Sequence, residues 1–416
     1  MIDTSIVVVG GGPGGMAAAV AAFDAGVKDV VILDRDEKLG GILNQCIHNG
    51  FGLHKFGREL TGPEYAKIYE DMVTERGIKV YKETTVLDIS EDKVVTASSR
   101  EGILKFRAGA VILAMGCRER SRGALNIPGN RPAGVYSAGT AQKLINCMGY
   151  CVGKKAVILG SGDIGLIMAR RLTLEGAKVE AVCEIMPYSS GLNRNIVQCL
   201  EDFDIPLYLS TTVAEIHGKD RVEGVTIAEV DEKRQVIEET KRYIPCDTLL
   251  LSVGLIPENE LTKEAGIELS PVTSGSVVDQ YRMTKLDGVF ACGNVLQVHD
   301  LVDYVSEEGE IAGKSAVAYV RGELKEEKTV SVSAGNGVRY VLPQMLKVTD
   351  TEDVDLYLRV TQPYGKVKFH VTSGGELLTS VTRLHATPGE MEKIKLSKEK
   401  IALVKGDVQV YLEEVL

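Results

Sequence analysis

Residues 6–15 read IVVVGGGPGG, and residues 156–165 read AVILGSGDIG. Each is a β-branched run that breaks into G-x-G-x-x-G. The first copy places Gly10, Gly12 and Gly15 around Pro13 and Gly14; the second places Gly160, Gly162 and Gly165 around Asp163 and Ile164. An Ala- or Leu-rich stretch follows each loop, over 16–25 and over 166–175, and predicts a helix there. A second apolar strand then ends in an acid, VVILD at Asp34 and VEAVCE at Glu184. Glycines and acids alike are displaced by 150 residues between the copies (10 to 160, 34 to 184). Two β-α-β units at one internal spacing predict two nucleotide-binding units of the doubly wound type.

The chemistry behind the spacing is specific. The first glycine permits the tight turn, the second lets backbone amides approach a pyrophosphate, and the third allows close helix–strand packing. The helix start supplies unpaired donors and a positive dipole end to the phosphates. The terminal acid accepts hydrogen bonds from a ribose diol. Gly10, Gly12, Pro13, Gly14, Gly15, Asp34 and its neighbour Arg35 are therefore candidate residues of one dinucleotide site. Gly160, Gly162, Asp163, Ile164, Gly165 and Glu184 are those of the other. A carboxylate at Glu184 suits a free 2′-hydroxyl and repels a 2′-phosphate, and Ile185, Met186 and Pro187 follow it without an Arg, so NAD(H) is expected over NADP(H).

Composition excludes other classes. The 416 residues carry 58 acids against 48 bases, a net charge of −10, which argues against a nucleic-acid footprint. Glycine is in excess, 44 residues or about 10.6% against a usual level near 7%. No apolar run approaches the roughly 18 residues of a membrane span. The N-terminal apolar run lacks a basic region and breaks at once into glycines, so it reads as a buried strand rather than a secretion signal. The eight cysteines include no CxxC pair and predict reduced thiols in the cytoplasm. Cys147 and Cys151 fall at i, i+4 on a predicted helix, and no metal site is expected.

Further segments carry a resemblance. VILAMG, with Ala114 and Gly116, and GVFACGN, with Gly293 and Asn294, stand where the two-dinucleotide-binding flavoprotein family has strands ending in Ala-Thr-Gly and Gly-Asp. That family includes glutathione reductase, lipoamide dehydrogenase and thioredoxin reductase. The turn SVGLIPENEL around Gly254 is also similar to its pattern. The resemblance covers about residues 1–325. It implies an α/β fold of two Rossmann-like domains, with FAD in the first unit and NAD(P)H in the inserted second. The expected layout is an FAD domain over 1–120 and 258–325, an NAD domain over 121–257, and a small all-β domain over 326–416 that follows the charged hinge KEEKTVSVS. Strands such as VDLYLRV (354–360) and KVKFHV (366–371) suggest that this tail is antiparallel, either docking another chain or stabilising its own. No cysteine follows Cys292, so the tail cannot ligate an iron–sulfur cluster through thiolates.

The resemblance also places residues near a flavin. DLVDYVSEEG (300–309) precedes a predicted helix reading EIAGKSAVAYV, and Val302 and Asp303 are expected to offer backbone donors to the pyrimidine end. The segment LGGILNQCIHNGFGLHKFG contains Gly41, where disulfide reductases of the family carry GGxCxxxxC. Leu43 stands where the first cysteine would fall, and Cys46 is the one thiol present. Cys46 beside His48 is a candidate catalytic pair, either an activated thiolate or a buried thiol and a hydrogen-bonded histidine lining the flavin pocket. His299 is a candidate proton donor.

GGILNQCIHNGFGLHKFGRELTGPEY, AMGCRERSRGALNIPG, GVYSAGTAQ and ACGNVLQVHDLVDYVSEEG resemble a bacterial subfamily that accompanies anaerobic glycerol-3-phosphate dehydrogenase and is related to subunits of amino-acid and opine oxidases. This implies an oligomeric electron-transfer role beside a second flavoprotein or iron–sulfur subunit. A self-contained reductase using Cys46 on peroxide, disulfide or oxygen, and a nucleotide-binding assembly subunit without turnover, are the alternatives.

Overall fold

The computed structural model describes residues 1–324, 328–348 and 352–415. Residues 325–327, within the charged hinge read from the sequence, lie outside the described residues. The chain forms two compact units, Met1–Cys117 with Pro257–Leu416, and Arg118–Ile256.

The first unit is built on a seven-stranded sheet. Its order runs Lys79–Tyr81, Val30–Leu33, Ile2–Val9, Gly102–Leu113, Val94–Ser99, Thr85–Ile89, with Val289–Ala291 also pairing Gly102–Leu113. The strands around Ile2–Val9 are parallel, Val7 lying in register with Val31 on one side and Val111 on the other. Strands buried on both faces need near-continuous apolar runs, which is what IVVV and VVIL supply. Ile6 and Val8 enter one core with Met16, Ala18 and Ala316; Val7 and Val9 enter the other with Val31, Val95 and Phe106. On the first face the helices Pro13–Asp24 and Val302–Val320 cross with their backbones in contact. A Cβ on Gly309 would overlap the carbonyl oxygen of Gly14, and one on Gly313 that of Ala18.

The second unit carries a parallel five-stranded sheet, Val135–Ser137, Thr248–Leu251, Lys155–Leu159, Lys178–Cys183, Leu207–Tyr208. A three-stranded antiparallel sheet, Thr211–His217, Gly224–Glu229 and Arg242–Pro245, shares a core with it through Val157, Leu249, Val213 and Val225.

The C-terminal strands fold as two sheets around their own core of Val332, Leu356, Leu358, Phe369 and Val410. They belong to the first unit. Their pairing is antiparallel except that Thr329–Ala334 runs parallel to Val408–Glu414, which corrects the purely antiparallel tail expected from alternation. Period-2 patterning fixes which face is buried but not which neighbour a strand takes.

Four helix expectations are also corrected. The loop helices begin at Pro13 and Asp163, not at 16 and 166. Pro suits a first helical position, and first-turn amides need no partner within the helix, so glycines there are tolerated. The late helix begins at Val302, taking in the acid-rich segment that read as its approach. Cys147 and Cys151 do not share a helical face: Cys147 caps the helix Ala138–Asn146, and Gly149 at φ 70° turns the chain away before Cys151.

Candidate functional site

The two glycine loops are geometric copies. Gly10 (φ 106°) and Gly160 (φ 98°) are left-handed, and a Cβ on either would overlap a carbonyl oxygen, that of Ala114 or Ser252. The third glycines pack helix on strand, since a Cβ on Gly165 would stand 2.7 Å from the Gly160 oxygen and one on Gly15 would overlap that of Gly10. The second glycines differ. Gly12 (φ −73°) and Gly162 (φ −66°) have backbone angles open to any residue. A Cβ on Gly12 would meet no atom within 4 Å, and one on Gly162 none nearer than 3.7 Å. The protein itself does not require glycine at either position, which leaves space for a group to approach the backbone closely. That is the place and shape of a pyrophosphate cradle.

The acids repeat the symmetry. Asp34 accepts the Gly11 amide at 2.5 Å and the Asp36 amide at 2.7 Å. Glu184 accepts the Ser161 amide at 2.9 Å, the Ser161 hydroxyl at 2.6 Å and the Met186 amide at 3.0 Å. Both are buried at the ends of their strands. Burial raises the carboxyl of Asp34 above its usual range, against the pull of the two amides. Each acid thus fixes the loop that precedes it while keeping acceptor capacity for a diol. Arg35, next in the chain, is exposed. Asp163 turns its carboxylate to the Leu192 amide (2.8 Å) and the Asn195 side chain (2.7 Å), and Ile164 packs into the core of the second unit.

Helix capping separates the candidate cofactor helices from the others. Five helices of nine residues or more occur among the described residues. Gly62–Glu75 has a Thr61/Glu64 capping box and Ala138–Asn146 is capped by Ser137. The other three, Pro13–Asp24, Asp163–Leu174 and Val302–Val320, have no side-chain cap. An uncapped helix start is where backbone amides can meet an anionic ligand.

Around the first loop the remaining candidates converge. The Gly40 amide donates to Gly11 O at 2.8 Å, and Gly41 lies against Gly12, an added Cβ falling 3.3 Å from its Cα. Ala114 is tied to Val9 through its amide (2.8 Å), and Gly116 (φ 73°) faces open space. Gly293 and Asn294 follow the Val289–Ala291 strand; the Asn294 amide group donates to Cys117 Sγ at 3.5 Å and its oxygen accepts the His299 amide at 3.0 Å. Val302 opens its helix, and Asp303 accepts the His54 amide at 3.1 Å. In the second unit Gly254 (φ 100°) also faces open space and its carbonyl accepts the Arg120 amide at 3.1 Å.

Cys46 is half-buried and donates to Ile42 O at 3.3 Å; His48 Nδ1 lies 3.0 Å from Asn49 O. Cys183, Cys199, Cys246 and Cys292 are buried thiols. Burial pushes the Cys183 thiol up to about 12 and raises that of Cys292 as well, so neither is a thiolate near neutral pH.

One cluster went unread in the sequence. Glu308, wholly buried, accepts Arg282 Nε at 3.1 Å, the Gln297 side chain at 3.3 Å, His299 Nε2 at 3.0 Å and the Gly293 amide at 2.8 Å. Burial works against its charge, but His299, Arg282 and the Gly293 amide outweigh it and hold the carboxyl below its usual range. Arg282 is itself 1% exposed, at a left-handed φ of 66°. The candidate proton donor His299 is therefore one end of an ion cluster that ties the Gly293 turn to the Val302–Val320 helix. A signal existed. With the helix extended back to Val302, Glu308 falls in the stripe Val305, Gly309, Ala312, Ala316, a buried face where an acid needs partners.

A family described as pyridine nucleotide-disulphide oxidoreductase matches residues 4–316. The chain belongs to that family. It is accordingly an oxidoreductase whose cofactors are FAD and NAD(P)H, and the twin cradles and their acids fit both. It is 24% identical over 356 residues to an opine oxidase subunit of Agrobacterium tumefaciens, covering 79% of this chain and 67% of that protein. It is 28% identical over 284 residues to the hydrogen cyanide synthase subunit HcnB of Pseudomonas protegens, covering 63% of this chain and 59% of the relative. The chain thus spans about six tenths to two thirds of these relatives' length. The fold is that of thioredoxin reductases: the T. acidophilum structure superposes with a TM-score of 0.63 at 24% identity, over 76% of this chain and 99% of the other. Met115 and Asn294, where the family pattern has Thr and Asp, leave this fold intact. Among the described residues no helix is long and apolar enough to cross a membrane, and no cluster of potential metal ligands occurs.

Proposed function

We propose that this protein is an FAD-dependent NAD(H) oxidoreductase that serves as the electron-transfer subunit of a larger dehydrogenase. The observation that carries the reading is the duplicated cradle, an empty space at Gly12 and Gly162 beside a buried acid that fixes each loop. Bound in these sites, FAD and NAD(H) supply hydride exchange between nicotinamide and isoalloxazine and release of electrons from the flavin. The chain's own residues bind and orient. The uncapped helix starts present amides to the pyrophosphates, Asp34 and Glu184 hold the adenosine riboses, and Glu184 repels a 2′-phosphate so that NADH is preferred over NADPH. Asn294 offers an uncharged side chain to the ribityl end, and Val302 and Asp303 present backbone donors to the pyrimidine end.

Electron exit is assigned to a partner. Leu43 replaces the first cysteine of the disulfide reductases, so the two-thiol relay of those enzymes is incomplete at Cys46. Two relatives, a subunit of an opine oxidase and a subunit of a hydrogen cyanide synthase, support a heteromeric role. A parent enzyme of the anaerobic glycerol-3-phosphate dehydrogenase type, with a second flavoprotein or iron–sulfur subunit, is the partner reading that the sequence resemblance favours. The cytoplasm, where eight thiols stay reduced, is the compartment proposed.

Anaerobic mixing of the purified yellow protein with NADH tests the reaction: the flavin absorbance bleaches, faster than with NADPH. An unbleached spectrum at saturating NADH leaves only a binding role. Purification of the tagged chain from its host tests the partner. A chain that emerges alone and reduces acceptors at full rate alone overturns the subunit reading.

A further inference from the structure

We propose that Arg359, a residue of the C-terminal strands, positions the flavin-binding turn of its own chain, so that the tail is a working part of the cofactor site. The strand Val354–Val360 has two faces. Val354, Leu356, Leu358 and Val360 enter the tail's core. Asp355, Tyr357 and Arg359 point the other way, the side expected to meet water in a free-standing domain. Yet Tyr357 is 1% exposed and the Arg359 side chain 14%.

The Arg359 guanidinium bridges two segments. One nitrogen donates to the carbonyls of Pro388 (3.0 Å) and Gly389 (2.6 Å) in the tail. The other donates to Val298 O (3.1 Å) and Asp300 Oδ1 (3.3 Å). The second oxygen of Asp300 accepts the Met391 amide at 3.3 Å. The residue held between these anchors, His299, is the one whose amide donates to Asn294 Oδ1 and whose ring meets Glu308, which in turn accepts the Gly293 amide. Two steps thus separate the tail arginine from the turn at Gly293 and Asn294. Lys393 reinforces the contact by pairing with Glu307 at 2.6 Å, and the Tyr357 ring meets Tyr304 edge-on. Only a planar, multiply donating fork can serve four acceptors at once; a lysine ammonium has three donors around one atom and cannot span both segments.

The inference rests on the reading that residues 293–303 contact FAD, and the experiment separates the two. Full-length apo and FAD-reconstituted protein are compared by amide hydrogen exchange and by FAD titration, for wild type, Arg359→Lys, Arg359→Met and Lys405→Met. The last breaks a tail ion pair with Glu376 that lies on an exposed surface. Wild-type residues 293–303 gain protection on adding FAD; absence of that gain overturns the reading of the turn, and the inference with it. Given the gain, both Arg359 variants exchange faster over 293–303 and bind FAD roughly tenfold more weakly, the loss expected for a charge-assisted hydrogen-bond set. The strand Val367–Ser373 keeps its protection, and Lys405→Met behaves as wild type. Unchanged exchange and affinity in both Arg359 variants, or an equal loss in Lys405→Met, overturns the assignment.

Discussion

The amide of Ser161 donates to Oε2 of Glu184 at 2.9 Å, repeating the tie that Gly11 makes to Asp34 in the other unit. The acid braces its glycine loop from behind, and on the proposed function it has a second task, meeting the ribose in front. Glu184→Ala removes both. We expect NADH affinity to fall by roughly tenfold or more, since charge-assisted hydrogen bonds contribute about 1.5–3 kcal/mol. NADPH affinity falls less, because a repulsion is lost along with the brace. Titration of the oxidised protein with each nucleotide checks this, and an equal loss for both would sink the discriminating role.

Gly12 and Gly15 should part company on substitution. Gly12→Ala places its Cβ where no protein atom lies within 4 Å, so the chain folds with an unchanged melting temperature and is isolated depleted of flavin. Gly15→Ala drives a methyl into the Gly10 carbonyl and destabilises the fold by about 1–3 kcal/mol. Thermal unfolding of the apo proteins, set beside their FAD content, distinguishes the two outcomes.

Cys46→Ser should retain full NADH-dependent reduction of a soluble acceptor such as ferricyanide. Its thiol donates to the Ile42 carbonyl, a bond that a serine hydroxyl reproduces. A loss of tenfold or more would return the thiol to the electron path.

The Glu308 cluster imposes a pH dependence on stability. Its carboxyl is held below the ordinary 4.5 in the folded chain, so on acidification the unfolded chain takes up the proton first. The stabilisation it provides is full above about 4.5 and is lost as pH falls through the depressed folded value. In Glu308→Gln this part of the acid limb disappears, and stability at neutral pH drops by about 3–5 kcal/mol because Arg282 is left buried and unpaired. Urea denaturation at a series of pH values measures both effects.

The loops and their acids were legible because each demand is local: a turn, a close approach and a terminal acceptor within about 25 residues of sequence. The helix from Val302 to Val320 was legible only in its second half. The acid-rich segment before it read as the approach to a helix, but Asp303, Glu307, Glu308 and Glu310 each have a distant partner, in the His54 amide, Lys393, Arg282 with His299, and Lys55. Partners far away along the chain leave no trace in local spacing. Arg359 was hidden for the same reason. Alternation assigns it to the outer face of a sheet, and only the tertiary structure shows what covers that face.

The crossing of the Pro13–Asp24 and Val302–Val320 helices has a consequence for biosynthesis. The first cradle leaves the ribosome nearly 300 residues before the helix that must lie against it, a delay of roughly 15–60 s at ordinary elongation rates. During that interval the face of the early helix that meets Val302–Val320 lacks its partner, while Arg118–Ile256 is already complete. On the proposed function, flavin capture is therefore expected late in the life of the nascent chain. A ribosome stalled before codon 302 should hold a polypeptide competent for the nicotinamide cofactor and blind to FAD.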